Sequence, residues 1–124
     1  MIQDIQHTDF EPVVSASKEP AVVVEYWHHK CPACEEMKPI YEKLEARLKG
    51  RAGLVRMNLL ESRENRVLAI KQGVRSTPTF MIYCGGAPIG LILGVRTLDE
   101  MEAEVKALLD VRDSCLKSTP LETG

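Results

Sequence analysis

The sequence lacks any apolar run approaching the roughly 20 residues needed to span a bilayer, so it offers no membrane segment. It lacks a charge excess: 16 Lys and Arg stand against 18 Asp and Glu, a formal net charge of −2, which gives no reason to expect nucleic acid or an anionic membrane as a partner. Met1 to Phe10 carries Asp4, His7 and Asp9 and has no apolar stretch after a basic start, so it does not read as a signal peptide. Repeats and low-complexity runs are missing. Cysteine is scarce and unevenly placed, with 4 in 124 residues, too few for the disulfide framework of a small secreted protein. The expected compartment is therefore the cytoplasm, where a close cysteine pair is catalytic or metal-binding more often than structural.

What is present is one domain's worth of chain, 44% hydrophobic and 27% charged, enough to bury a core without staples. Residues 8–18 read as a short helix using Phe10, Val13 and Val14, broken by Glu19-Pro20. Ala21 to Trp27 is short, nearly all apolar and β-branched, the pattern of a central strand buried on both faces. From Pro32 to Leu48, Met37, Ile40, Tyr41, Leu44 and Leu48 recur at helical spacing, with Pro39 predicting a kink. Leu54 to Leu59 is a second strand. Residues 62–72 are a helix carrying Val67, Leu68 and Ile70 and stopped by Gly73.

Thr79 to Cys84 is a third strand, and Gly85-Gly86 turns it into an antiparallel partner at Pro88 to Leu93. Thr97-Leu98-Asp99-Glu100 fits a capping box and opens a helix with Leu98, Met101, Val105, Leu108 and Leu109 on one face. The domain is read as residues 1–111, followed by a polar tail, 112–124, expected to be mobile. Strand, helix, strand, helix, hairpin, helix implies an α/β fold: a mixed sheet with helices on both faces.

Cys31-Pro32-Ala33-Cys34 falls where a buried strand meets a helix N-terminus. Two cysteines three apart at a helix start can bond to each other. There the unpaired backbone N–H groups and the positive end of the helix dipole favour the thiolate of Cys31, the attacking species. Pro32 suits a first helical position, since it needs no N–H donor. Cys34, a turn further in, suits the resolving role. Zinc or iron–sulfur ligation competes, because such a pair is half of many metal sites. A second half at compatible spacing is missing: Cys84 and Cys115 stand alone, and His28 and His29 lie on the same segment as the pair. Cys84 reads as a small buried hydrophobe, and Cys115 as an incidental tail cysteine or an accessory thiol that resolves or regulates.

Trp27-His28-His29-Lys30-Cys31-Pro32-Ala33-Cys34 with Pro39 downstream, Thr77-Pro78-Thr79, Gly85-Gly86 and Gly94 together resemble the landmarks of the thioredoxin family over residues 8–110. The resemblance implies a thioredoxin fold with a mixed central sheet of four or five strands flanked by helices. It implies that Pro78 is the family's cis-proline, exposing the backbone of Thr77 to an extended substrate. A trans proline starting a strand is the alternative. Glu25 matches the family's buried acid, an aspartate there, and Arg56 stands where a lysine often pairs with it. The alternatives are a Glu25 facing solvent at a strand edge and an ordinary surface arginine. Two departures stand out. Thioredoxins proper usually carry Gly-Pro between the cysteines, whereas Pro-Ala is found here; and Lys30 replaces a common second tryptophan.

The resulting expectation is a cytosolic protein-disulfide reductase with no bound cofactor or metal. Cys31 attacks, Cys34 resolves, and Glu25 exchanges a proton with Cys34 through water. Trp27, Pro32, Ala33, Thr77 and Pro78 meet the substrate, Trp27 also packing under the active-site turn. His28, His29 and Lys30 are either thiolate-favouring charges or a plain exposed loop. The partners implied are protein disulfides and a thioredoxin-reductase-type donor, NADPH- or ferredoxin-linked, acting on a monomer. Two rival readings remain: a metal or cluster module shared across a dimer, and a non-catalytic interaction protein on the same scaffold.

Overall fold

A computed structural model describes residues 2–111. The predicted tail at 112–124, with Cys115, lies outside the described residues. Strands β1 (Gln3–Asp4), β2 (Val22–Trp27), β3 (Gly53–Asn58), β4 (Thr79–Cys84) and β5 (Ala87–Leu93) form one sheet in the order β1-β3-β2-β4-β5. Helices α1 (Pro32–Arg47), α2 (Arg63–Lys71) and α3 (Leu98–Val111) complete the fold. β2 runs parallel to β3 and antiparallel to β4, and the β4–β5 hairpin is antiparallel, so the sheet is mixed as predicted, with five strands.

The central strand owes its place to side-chain alternation. Val23 joins Phe80, Ile82, Met37, Tyr41, Leu44, Met101, Val105 and Leu109 on the face covered by α1 and α3. Val22, Val24 and Tyr26 join Met57, Ala69, Met81 and Tyr83 on the face covered by α2 and the N-terminal segment. With both faces occupied, each valine of β2 is almost wholly enclosed, worth about 1.5–3 kcal/mol apiece. α1 is latched to this sheet by the buried Tyr41 hydroxyl, which donates to the carbonyls of Val23 (3.0 Å) and Val55 (2.7 Å), on adjacent strands.

Local chemistry sets the ends of the helices. The Thr97–Glu100 capping box closes in both directions, at 2.9 and 3.1 Å. Ser62 caps α2 through Asn65 N–H at 3.0 Å, and Gly73 takes the left-handed φ of +94° expected of a stop. α1 runs unbroken through Pro39.

Three expectations change, and one strand is added. Residues 8–18 are not one α-helix but a 3₁₀ turn at His7–Asp9 and a π turn at Glu11–Ser15; Val14 is still buried and Phe10 and Val13 still pack on the core. On α2 the buried positions are Asn65 and Ala69, and Ile70, 69% exposed, belongs to neither core cluster. Cys84, at the last position of β4, is half-buried rather than enclosed. The two-residue strand β1 carries no hydrophobic periodicity and was invisible to a pattern reading; parallel pairing with β3 places it at the sheet edge.

Candidate active site

β2 ends at Trp27, and four residues later the chain turns into α1. Cys31 is the N-cap residue, with extended φ and ψ of −106° and 110°, and Pro32 is the first helical residue. Cys31 and Cys34 are joined in a disulfide, their Cα atoms 5.2 Å apart. Cys31 Sγ also accepts a hydrogen bond from the Cys34 backbone N–H at 3.1 Å, the capping interaction that a Ser or Asp oxygen makes at other helix starts. Both cysteines are buried, Cys31 at 7% and Cys34 at 2% exposure, while Pro32 is exposed and Ala33 half-buried. Only a thin edge of the first sulfur residue meets solvent.

His28 shapes the approach to this turn. Its carbonyl accepts from Cys31 N–H (3.3 Å) and its ring Nδ1 accepts from Lys30 N–H (3.2 Å). His29 Nδ1 lies 3.3 Å from the Asn58 side-chain amide. The two histidines thus hold the loop, and Lys30 is left exposed.

Glu25 is fully buried, which removes the strand-edge alternative: β3 and β4 flank it, with Arg56 and Phe80 as its register partners. Arg56, 4% exposed, is no surface arginine either. Its Nη2 lies 3.3 Å from Glu25 Oε1, and its guanidinium carbon sits 4.5 Å from the centre of the Trp27 ring. Burial pushes the Glu25 carboxyl up from 4.5 to about 7; Arg56 opposes that rise, Asp4 and Glu42 add to it, and Lys38 lowers it. Trp27, half-buried, donates its indole N–H to Asp4 at 3.1 Å. Glu25, Arg56 and Trp27 therefore form one cluster, with Glu25 on the sheet face that α1 covers.

The Thr77–Pro78 peptide is cis. Pro78 is buried at the entry to β4, its carbonyl accepting from Gly94 N–H at 3.1 Å, and Thr77 is half-buried. Thr77 and His28 line the same cleft of about 290 Å³, whose wall includes Leu59, Leu60, Ile70 and Val74, with Arg66 and Arg75. The exposed Ile70 thus belongs to a cleft that joins both loops.

Asp4, Lys38 and Glu42 were not singled out from the sequence. Asp4 and Lys38 act on Glu25 by charge, and Glu42 Oε2 lies 4.0 Å from Arg56 Nη1. Lys38 and Glu42 had a readable signal: they follow Cys34 at four-residue steps, one line along a helix. Asp4 had none. Among the described residues, no group of three or more His, Cys, Asp or Glu is arranged to hold a metal ion, and no helix is long and apolar enough to cross a membrane.

The family model described as Thioredoxin matches residues 1–107. "Thioredoxin 1" of Nostoc sp. is 30% identical over 73 residues, 59% of this chain and 65% of that protein. "Thioredoxin" of Rickettsia felis is 30% identical over 86 residues, 69% of this chain and 78% of that protein. "Thioredoxin F-type, chloroplastic" of Mesembryanthemum crystallinum is 27% identical over 106 residues, 86% of this chain and 53% of that protein. The match to the Nostoc protein thus spans slightly less than two-thirds of that relative's length.

Proposed function

This chain belongs to the thioredoxin family, and from that premise we propose that it is a thiol–disulfide oxidoreductase that reduces protein disulfides in the cytosol. The observation that carries the proposal is the position of Cys31. Its sulfur caps α1, accepts the Cys34 N–H and is bonded to Cys34, so the N–H that meets the disulfide also meets the thiolate once the pair is reduced.

In the forward direction the Cys31 thiolate attacks one sulfur of a substrate disulfide. A mixed disulfide forms and the other substrate sulfur leaves as a thiolate, which takes a proton from water. Cys34 then loses its proton to Glu25 through water and attacks Cys31 Sγ. The mixed disulfide breaks, the second substrate thiol departs, and Cys31–Cys34 is left as the disulfide. Two electrons have passed to the substrate. A partner reductase, NADPH- or ferredoxin-linked, returns them, and the chain acts as a monomer without a bound cofactor.

Glu25 is the proton acceptor in this scheme, and its proton affinity near neutrality suits that work. In this reading Trp27, Pro32 and Ala33 meet the client beside the sulfurs. Thr77, ahead of the cis Pro78, offers its backbone to an extended client segment, whose apolar side chain enters the cleft toward Ile70 and Val74.

Insulin-disulfide reduction by dithiothreitol tests the proposal. The wild-type chain should accelerate the onset of turbidity, Cys31→Ser should abolish the acceleration, and Cys34→Ser should accumulate a mixed disulfide. Equal rates with and without the protein would leave the scaffold reading standing. The direction of flow is read from the reduction potential of the Cys31–Cys34 couple. A value near the reducing cytosolic poise, about −220 to −320 mV, supports a reductase, and one near −120 mV would make it an oxidant.

A further inference from the structure

The geometry points to Glu42 as a positioning residue for the proton chemistry of Glu25: by engaging one arm of the Arg56 guanidinium, it limits how much positive charge reaches the buried carboxyl. The consequence for disulfide exchange rests on the reading above; the electrostatic claim does not.

One guanidinium serves three neighbours. Nη2 is 3.3 Å from Glu25 Oε1, Nη1 is 4.0 Å from Glu42 Oε2, and the carbon between them lies 4.5 Å from the centre of the Trp27 ring. The two carboxylates differ in setting. The Glu25 side chain is wholly enclosed, whereas that of Glu42 is 40% exposed. The guanidinium carries one positive charge delocalised over its plane. What can change is how its single charge is shared. Each negative charge close to Arg56 offsets part of the field that would draw a proton off Glu25.

The charged and titratable groups facing Glu25 come from three of the elements around it. β3 gives Arg56, β1 gives Asp4, and α1 gives Lys38, Tyr41 and Glu42; on β4 the register partner is the uncharged Phe80. α1 is the notable contributor. Cys34, Lys38 and Glu42 lie along one line of the helix at four-residue steps, so the ridge that carries the resolving sulfur also carries two charges of opposite sign that act on the acid. Glu42 holds the Glu25 proton on, and Lys38 pulls it off. Behind burial, Arg56 and Asp4, the pair trims in opposite directions the pH at which the acid can accept a proton from Cys34.

Opposite signs make the claim testable. The probe is the carbon-13 carboxyl resonance of Glu25 in uniformly labelled oxidised protein, assigned by its loss in Glu25→Gln and titrated from acid to alkaline pH. Glu42→Gln should lower the Glu25 midpoint by a few tenths of a pH unit and Lys38→Gln should raise it by a similar amount. Glu36→Gln, exposed on the same helix, should leave it in place. The pH profile of insulin reduction should move with the midpoint in each variant. A merely structural role for Glu42 would change the melting temperature without separating the two signs. A Glu42→Gln midpoint equal to that of the wild type, or displaced upward, overturns the inference even if insulin is reduced in a Cys31-dependent way. Shifted midpoints in a protein that does not reduce insulin would uphold the electrostatics and defeat the reductase reading.

Discussion

Replacing Glu25 by glutamine keeps the shape of the side chain and removes its proton-binding group, and the consequence for stability has a definite sign. Burial holds the folded carboxyl at about 7 against an ordinary 4.5. Below pH 4.5 the acid is protonated in both folded and unfolded chains, and its contribution is complete. Between 4.5 and 7 the unfolded chain ionises while the folded one keeps its proton, so stability falls as pH rises. Above 7 both are ionised and the loss levels off. The rise from 4.5 to about 7 corresponds to about 3 kcal/mol. Glutamine has no such loss, so the stability of Glu25→Gln minus that of the wild type should grow by about 3 kcal/mol from pH 4.5 to 7.5. Urea denaturation of the oxidised proteins at half-unit steps of pH measures this. The constant offset between the two curves contains the cost of facing Arg56 with an amide; the divergence between them does not. Parallel curves, or a wild type that gains on the variant as pH rises, would refute a buried acid with raised proton affinity.

Tyr41→Phe should cost about 1–3 kcal/mol in urea denaturation, because two buried strand carbonyls, those of Val23 and Val55, lose their donor together. Thr97→Ala should cost about 1 kcal/mol by the same measurement, because the Glu100 N–H loses its side-chain acceptor while the Thr97 N–H keeps Glu100 Oε1. Gly86→Ala should destabilise more than Gly50→Ala when the two are melted side by side. Both glycines have left-handed φ, +88° and +86°, a strain of about 1–2 kcal/mol for alanine. A Cβ on Gly86 would also lie 2.6 Å from Ser15 Oγ, whereas one on Gly50 meets open space.

The sheet was legible because its information is local. β2 announced itself by a nearly continuous apolar run rich in β-branched residues, and the hairpin by a Gly-Gly pair between two apolar segments. The final helix was readable down to its cap. Ile70 misled because an apolar residue on a helix counts equally toward a core and toward an exposed cleft; only the sheet's position assigns it. The segment at 8–18 failed for a related reason: Pro12 and the small and polar residues 15–17 favour irregular turns, and three apolar residues could be buried without an α-helix. At the site, the cysteine spacing could be read directly. Whether Glu25 and Arg56 meet depends on the parallel register of β2 against β3, which no local pattern states. Asp4 belongs to the same difficulty, since its strand is two residues long.

The first residues of the chain wall the site as well as edge the sheet. Ile5 is fully buried and its N–H donates to the carbonyl of Arg56 at 2.7 Å, while Asp4 takes the indole N–H of Trp27. Gln6 and His7 are tied to Asn65 of α2. An affinity tag joined close to Gln3, or a trimmed N-terminus, would therefore disturb the backbone that carries Arg56 and the ring beneath its guanidinium. Fusions that must preserve the proton affinity of Glu25 need a spacer ahead of this segment.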